Sequence, residues 1–173
     1  RSKKPFIILN GALLDSKKYE LELFGEEKEN GSISYGALEK ANTGTLLIDH
    51  ISEIPLDIQS KILRVLTDQK FKRINGNTDI IVNVRLICSS SKNLKNEIEA
   101  GNFREDLFHR INVFEINIEP LSQRISDIPL LIEYFSKKIS ENYNIKKLEI
   151  DKNNSYILNH NWKGNVRELR NLI

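Results

Sequence analysis

The sequence has no methionine among its 173 residues, a single cysteine and only four prolines. Without methionine the chain reads as a piece of a longer translation product. It opens beside a strand pattern and stops within a helical one, at Arg167-Glu-Leu-Arg-Asn-Leu-Ile173. The lone Cys88 excludes an internal disulfide, and its place in an apolar strand pattern reads as a plain buried thiol. Apolar runs such as Thr45–Ile48 fall far short of the ~20 residues a membrane-spanning helix needs, and Arg1–Asn10 carries no signal-peptide pattern. An excess of one charge sign is missing too. The formal net charge is +2, so composition makes no case for nucleic acid or an anionic membrane. Hydrophobic residues at 39% and charged residues at 29% give a globular balance rather than a disordered one. These features fit a soluble cytoplasmic protein, and the length fits one domain or one domain plus a small lobe.

What is present alternates between two periods. Pro5–Leu9, Thr45–Ile48 and Val84–Cys88 are short β-branched or apolar runs that predict buried strands. Lys17–Phe24 predicts a helix closed by Gly25. The polar stretch Glu26–Tyr35 predicts a surface loop, and Gly36–Ala41 a brief helix. Ile58, Ile62, Leu63, Val65 and Leu66 recur at helical spacing behind Pro55, which a helix start tolerates. Phe71–Ile74 and Ile80–Val84, around Asn75-Gly-Asn77, predict a β-hairpin. Two short helices follow, Leu94–Ala100 and Arg104–Ile111, and Val113–Ile118 alternates as a strand. Beyond Ser126 only helical periodicity remains, over Ile128–Tyr143, Asp151–Asn159 and from Asn165 onward. The fold class is α/β: a mainly parallel sheet with helices on both faces in residues 1–120, then an all-helical lobe in 121–173.

Within this pattern GTLLIDHISEIP, Gly44–Pro55, is a strand that delivers Asp49 and then His50 at its C-terminal end. It belongs to an ordered set with Glu22-Leu-Phe-Gly-Glu-Glu27, Gln59-Ser-Lys-Ile-Leu-Arg-Val-Leu66, Gly101-Asn-Phe-Arg-Glu-Asp-Leu-Phe-His-Arg110, Pro120-Leu-Ser-Gln-Arg124 and Trp162-Lys-Gly-Asn-Val-Arg-Glu-Leu169. Together these segments span nearly the whole chain. They resemble the AAA+ domain of bacterial enhancer-binding activators that work on sigma-54 RNA polymerase, and within that family the NtrX-like response regulators.

The resemblance implies roles position by position. Asp49 matches the Walker B acid, a metal-binding and catalytic position that holds Mg²⁺ through water beside ATP. Arg104 and Arg110 match the arginines that one subunit points at its neighbour's ATP. Arg167 matches a lid arginine on the subunit's own nucleotide, and Asn10 an asparagine that pairs with the acid after Asp49. Each has a plainer reading. Asp49 can cap the next helix, Arg104 among Glu105 and Asp106 can be a surface ion pair, and Arg167 beside Glu168 an ordinary helix charge.

The departures from the family carry as much information. His50 stands where the family has the glutamate that polarises the attacking water. A neutral imidazole can accept a proton, but it reaches less far and lacks a fixed charge. Ser91 replaces the asparagine that orients the γ-phosphate or the water, with a shorter side chain and one donor. The GAFTGA loop that touches sigma-54 is absent, and Glu29–Tyr35 takes its place without a Phe-Thr pair. No G-x-x-x-x-G-K-[ST] phosphate loop occurs, nor the central strand before it, so this stretch alone is expected to bind nucleotide poorly.

The expectation is part of the central domain of a two-component response regulator. The parent would carry a receiver domain facing a sensor histidine kinase and a C-terminal helix-turn-helix for DNA. ATP and Mg²⁺ would serve homo-oligomer assembly, with hydrolysis and direct sigma-54 remodelling impaired. Two alternatives stay open: a working sigma-54-dependent ATPase in which His50 activates water, and a decayed domain kept as a spacer.

Overall fold

The structure, a computed structural model, describes residues 1–12, 15–146, 149–152 and 154–173. It falls into two compact units, Arg1–Phe114 and Glu115–Ile173.

In the first unit the order is Phe6–Asn10 (β1), Ser16–Phe24 (α1), Gly25–Glu27 (β2), Ile33–Tyr35 (β3), Ala37–Lys40 (α2) and Thr45–Asp49 (β4). Leu56–Asp68 (α3), Lys70–Phe71 (β5), Ile80–Ile81 (β6), Arg85–Cys88 (β7), Leu94–Glu99 (α4) and Glu105–Ile111 (α5) complete it. β1, β4 and β7 pair in that order as a parallel sheet with β4 in the middle. The alternation of strand side chains sorts the sheet into two faces. Leu9, Leu46 and Ile48 are buried, in one cluster with Tyr19 and Leu23 of α1, Leu38 of α2 and Ile58 and Ile62 of α3. On the other face Phe6, Ile8 and Ile87 stay 56%, 63% and 40% exposed. Helices therefore cover one face of this sheet, where the alternation of elements predicts two. Cys88, at the end of β7, packs against the cluster, and burial pushes its thiol up to about 12.

α1 ends where predicted because Gly25 adopts φ 75° and donates its N–H to Leu21 O. A Cβ there would sit 2.2 Å from Ser34 O, so the close return of β3 also requires glycine. That return corrects the expected loop over Glu26–Tyr35. β2 and β3 form an antiparallel hairpin, and Glu27 N and Ile74 O hydrogen-bond on its other side. Val113–Ile118 departs in the opposite direction. It alternates like a strand, but among the described residues no ladder forms along it, and Val113, Phe114, Ile116 and Ile118 are 73% exposed or more. Alternation supplies a face; a strand also needs a neighbour for its amides and carbonyls.

The second unit holds the 3₁₀ turn Leu121–Gln123 and the helices Asp127–Tyr143 (α6), Ser155–Leu158 (α7) and Asn165–Leu172 (α8). The expected helix over Asp151–Asn159 narrows to α7; residue 153 of that span lies outside the described residues. Leu121, Ile128, Ile132, Trp162 and Leu169 make its core. Most of the Trp162–Leu169 segment is structural. Trp162 Nε1–H donates to Ile157 O (3.0 Å), Asn165 Oδ1 accepts from Leu121 N–H (2.8 Å), and Glu168 Oε2 accepts from Gly164 N–H (2.8 Å). Among the described residues no helix is long and apolar enough to cross a membrane.

Candidate nucleotide site

Three parallel strands release their chains at one end of the sheet, the place where α/β folds gather functional groups. There Asn10 and Asp49 are register partners, and Gly11 N–H donates to Asp49 O (2.8 Å). Ser89 N–H donates to Ile48 O (3.0 Å), and Ile51 N–H to Ser89 O (2.9 Å). A Cβ on Gly11 would meet His50 O at 2.6 Å, so only glycine allows the chain leaving β1 to lie this close.

Asp49 Oδ1 accepts from the Ser89 hydroxyl and from His50 N–H (3.1 Å). Among the described residues Oδ2 accepts no hydrogen bond; His50 Nε2 lies 3.8 Å away. The two side chains are 41% and 40% exposed. His50 itself adopts the left-handed conformation, φ 55° and ψ 49°, as it opens the 3₁₀ turn Ile51–Glu53. Histidine enters this region more readily than most residues, and the hydrogen bond of its N–H to Asp49 holds it there.

Not every predicted site residue joins this cluster. Asn10 reaches it by its backbone, but its Oδ1 accepts from Ala12 N–H (2.9 Å) in a local turn. Ser91 is exposed and makes no hydrogen bond among the described residues. Arg104 forms a fork with Asp106, at 3.0 and 2.6 Å, and Arg110 donates to Leu66 O (2.9 Å). The latter contact satisfies a carbonyl that the end of α3 leaves without a helical partner. Neither arginine bonds to Asp49 or His50. Arg167 is exposed on α8 in the second unit.

Two contacts escaped the sequence reading. Ser89, rather than Ser91, touches Asp49, and its place at the end of the strand beside β4 was the available sign. Gln59 binds the Arg104 backbone; a polar residue within the apolar stripe of α3 was the sign there.

This architecture has known counterparts. The family model described as "Sigma-54 interaction domain" matches residues 1–117, two thirds of the chain. The chain belongs to the sigma-54 interaction domain family. Residues 122–173 match the AAA+ ATPase lid domain. Among curated relatives, the nitrogen assimilation regulatory protein NtrX of Azorhizobium caulinodans is 41% identical over 99% of this chain and 38% of its own length. The DNA-binding transcriptional regulator NtrC of Escherichia coli is 40% identical over 99% of this chain and 38% of its own. The crystal structure of NtrX from Brucella abortus in complex with ATP superposes with a TM-score of 0.90 at 42% identity, covering 99% of this chain and 40% of that one. The chain thus has the AAA+ α/β fold with a helical lid, and it spans about two fifths of the length of these relatives.

Proposed function

We propose that this domain belongs to a two-component transcription regulator in which bound ATP drives or stabilises assembly while hydrolysis is impaired. The observation that carries the reading is the group beside Asp49 Oδ2: an imidazole at 3.8 Å, where a water-activating carboxylate would be needed. Asp49 fits a hard cation. Mg²⁺ is held by one or two carboxylates plus phosphates and water, and Oδ2, on a side chain 41% exposed, accepts no hydrogen bond among the described residues. Bound there, Mg²⁺ would neutralise phosphate charge. His50 is then a poor base for the attacking water, because its backbone is folded back onto Asp49 and its ring reaches toward the same oxygen.

The remaining roles follow from the resemblance. Asn10 and Arg167 would contact or sense the subunit's own nucleotide, and Ser91 would face the γ-phosphate. Arg104 and Arg110 would enter the neighbour's site. Their exposure and weak side-chain ties support this, since an arginine that crosses a seam must be able to leave its resting partner. The full-length protein would add the phosphate loop, a receiver domain answering a sensor kinase, and a DNA-binding domain, and would work in the cytoplasm.

Direct contact with sigma-54 has less support. The β2–β3 tip closes tightly, Lys28 N–H donating to Ser32 O (2.9 Å) and Gly31 N–H to Lys28 O (2.8 Å). No aromatic stands at that tip, and Tyr35 sits at the hairpin base, 5.5 Å from the Arg73 guanidinium. Sedimentation velocity on the full-length protein tests the proposal. ATP with Mg²⁺ should shift it to a larger species, and Asp49→Asn should abolish that shift. Assembly that ignores nucleotide would refute it.

A further inference from the structure

Gln59 is fully buried on α3, beside Ile58 and Ile62 in the stripe that packs the core. A buried primary amide is costly unless its donors and acceptor find partners. All its partners are backbone groups of two other segments. Nε2 donates to Ile54 O (2.8 Å) and to Asn102 O (3.0 Å), and Oε1 accepts from Arg104 N–H (2.8 Å). Ile54 closes the turn that begins at His50. Asn102 and Arg104 flank Phe103, which is 3% exposed, and lead into α5.

This is an unusual way to start a helix. Arg104 is the N-cap residue of α5, yet its side chain makes no capping bond and turns outward to Asp106. The backbone from which that guanidinium departs is anchored from below by Gln59, while the guanidinium itself is held only by an exposed fork. The anchor is buried, and the arm is tied only at the surface.

The geometry points to Gln59 as a positioning residue that fixes the start of α5, and with it Arg104 and Arg110, relative to the turn that follows Asp49 and His50. The inference rests on the proposal that these arginines complete a neighbouring subunit's nucleotide site. Leucine would preserve bulk and lose every bond. Glutamate would preserve shape and the acceptor but face the carbonyls of Ile54 and Asn102 with oxygen.

The test uses the full-length protein with Gln59→Glu and Gln59→Leu beside Arg104→Ala. Titration of ATP reads the subunit's own site, and sedimentation velocity reads the seam. Gln59→Glu should leave ATP affinity within about twofold and raise the protein concentration for half-assembly roughly tenfold, the equivalent of one buried hydrogen-bond defect. A residue that mattered only for core stability would move both readouts together or neither. If Arg104→Ala weakens assembly and the Gln59 variants do not, the inference about Gln59 falls and the seam reading stands. If Arg104→Ala leaves assembly unchanged, the seam reading fails and this inference fails with it. Should both Gln59 variants unfold, hydrogen exchange on the unaltered protein decides. The Arg104 amide should exchange as slowly as amides within α3, and exchange at the rate of an exposed loop would overturn the anchor.

Discussion

The base of the β2–β3 hairpin and the start of α5 each set an arginine against carboxylates, in opposite ways. Arg73 is 10% exposed and forms a fork with Glu39, Nε to Oε1 at 2.8 Å and Nη2 to Oε2 at 2.6 Å. Its Nη1 reaches Glu27 Oε1 at 2.8 Å, and its guanidinium carbon lies over the Tyr35 ring. Arg104 makes a similar fork with Asp106 at 41% exposure, two residues along its own chain. The first arginine joins three elements and has no freedom to leave. The second closes a local ring in solvent, and its backbone is fixed by a different residue. A structural arginine and a candidate functional one can therefore share a hydrogen-bond pattern and differ in what would be lost by letting go.

That contrast breaks most visibly in stability. Arg73→Ala strands Glu39, 12% exposed, and Glu27 without their cation, and should cost about 3 kcal/mol by urea denaturation. Arg73→Lys should recover less than half of it, because an ammonium cannot serve both carboxylates in the planar fork. Arg104→Ala should leave the urea midpoint nearly unchanged in the same assay, because an exposed ion pair contributes little to stability. A loss from Arg104→Ala comparable to that from Arg73→Ala would erase the distinction.

The smallest effect is on acid titration. The hydrogen bond from Arg104 is the main reason Asp106 lies below its ordinary range. A depressed carboxyl contributes stability above its unfolded value, and that contribution is lost as pH falls through the folded one. Followed by NMR, Asp106 should titrate below the ordinary range in the unaltered protein and return toward it in Arg104→Ala. The Arg73 guanidinium is raised, first by its hydrogen bond to Glu39. A raised cation gives its stability fully below its unfolded value and loses it only as pH rises through the folded one, so neutral and acidic titration leave Arg73 charged.

Elements with one decisive local signal were legible in the sequence. Gly25 marks the end of α1, Ile58, Ile62 and Val65 trace the buried face of α3, and Thr45–Ile48 announces the central strand. The hairpin was hidden because its residues are polar and its order comes from Arg73 and Ile74, far along the chain. Val113–Ile118 shows the reverse case, a legible pattern without a ladder. At the site, the adjacency of Asp49 and His50 could be read directly. The bonds of Ser89 to Asp49 and of Gln59 to Arg104 could not, since each joins residues about 40 positions apart.

In the proposed function the site would bind ATP but lack its water-activating group. Steady-state phosphate release from the full-length protein, compared with its His50→Glu variant, tests it most directly. The account predicts near-silence from the unaltered protein and turnover restored by the glutamate. Brisk release that His50→Glu barely improves would contradict it and make His50 the working base of an active ATPase.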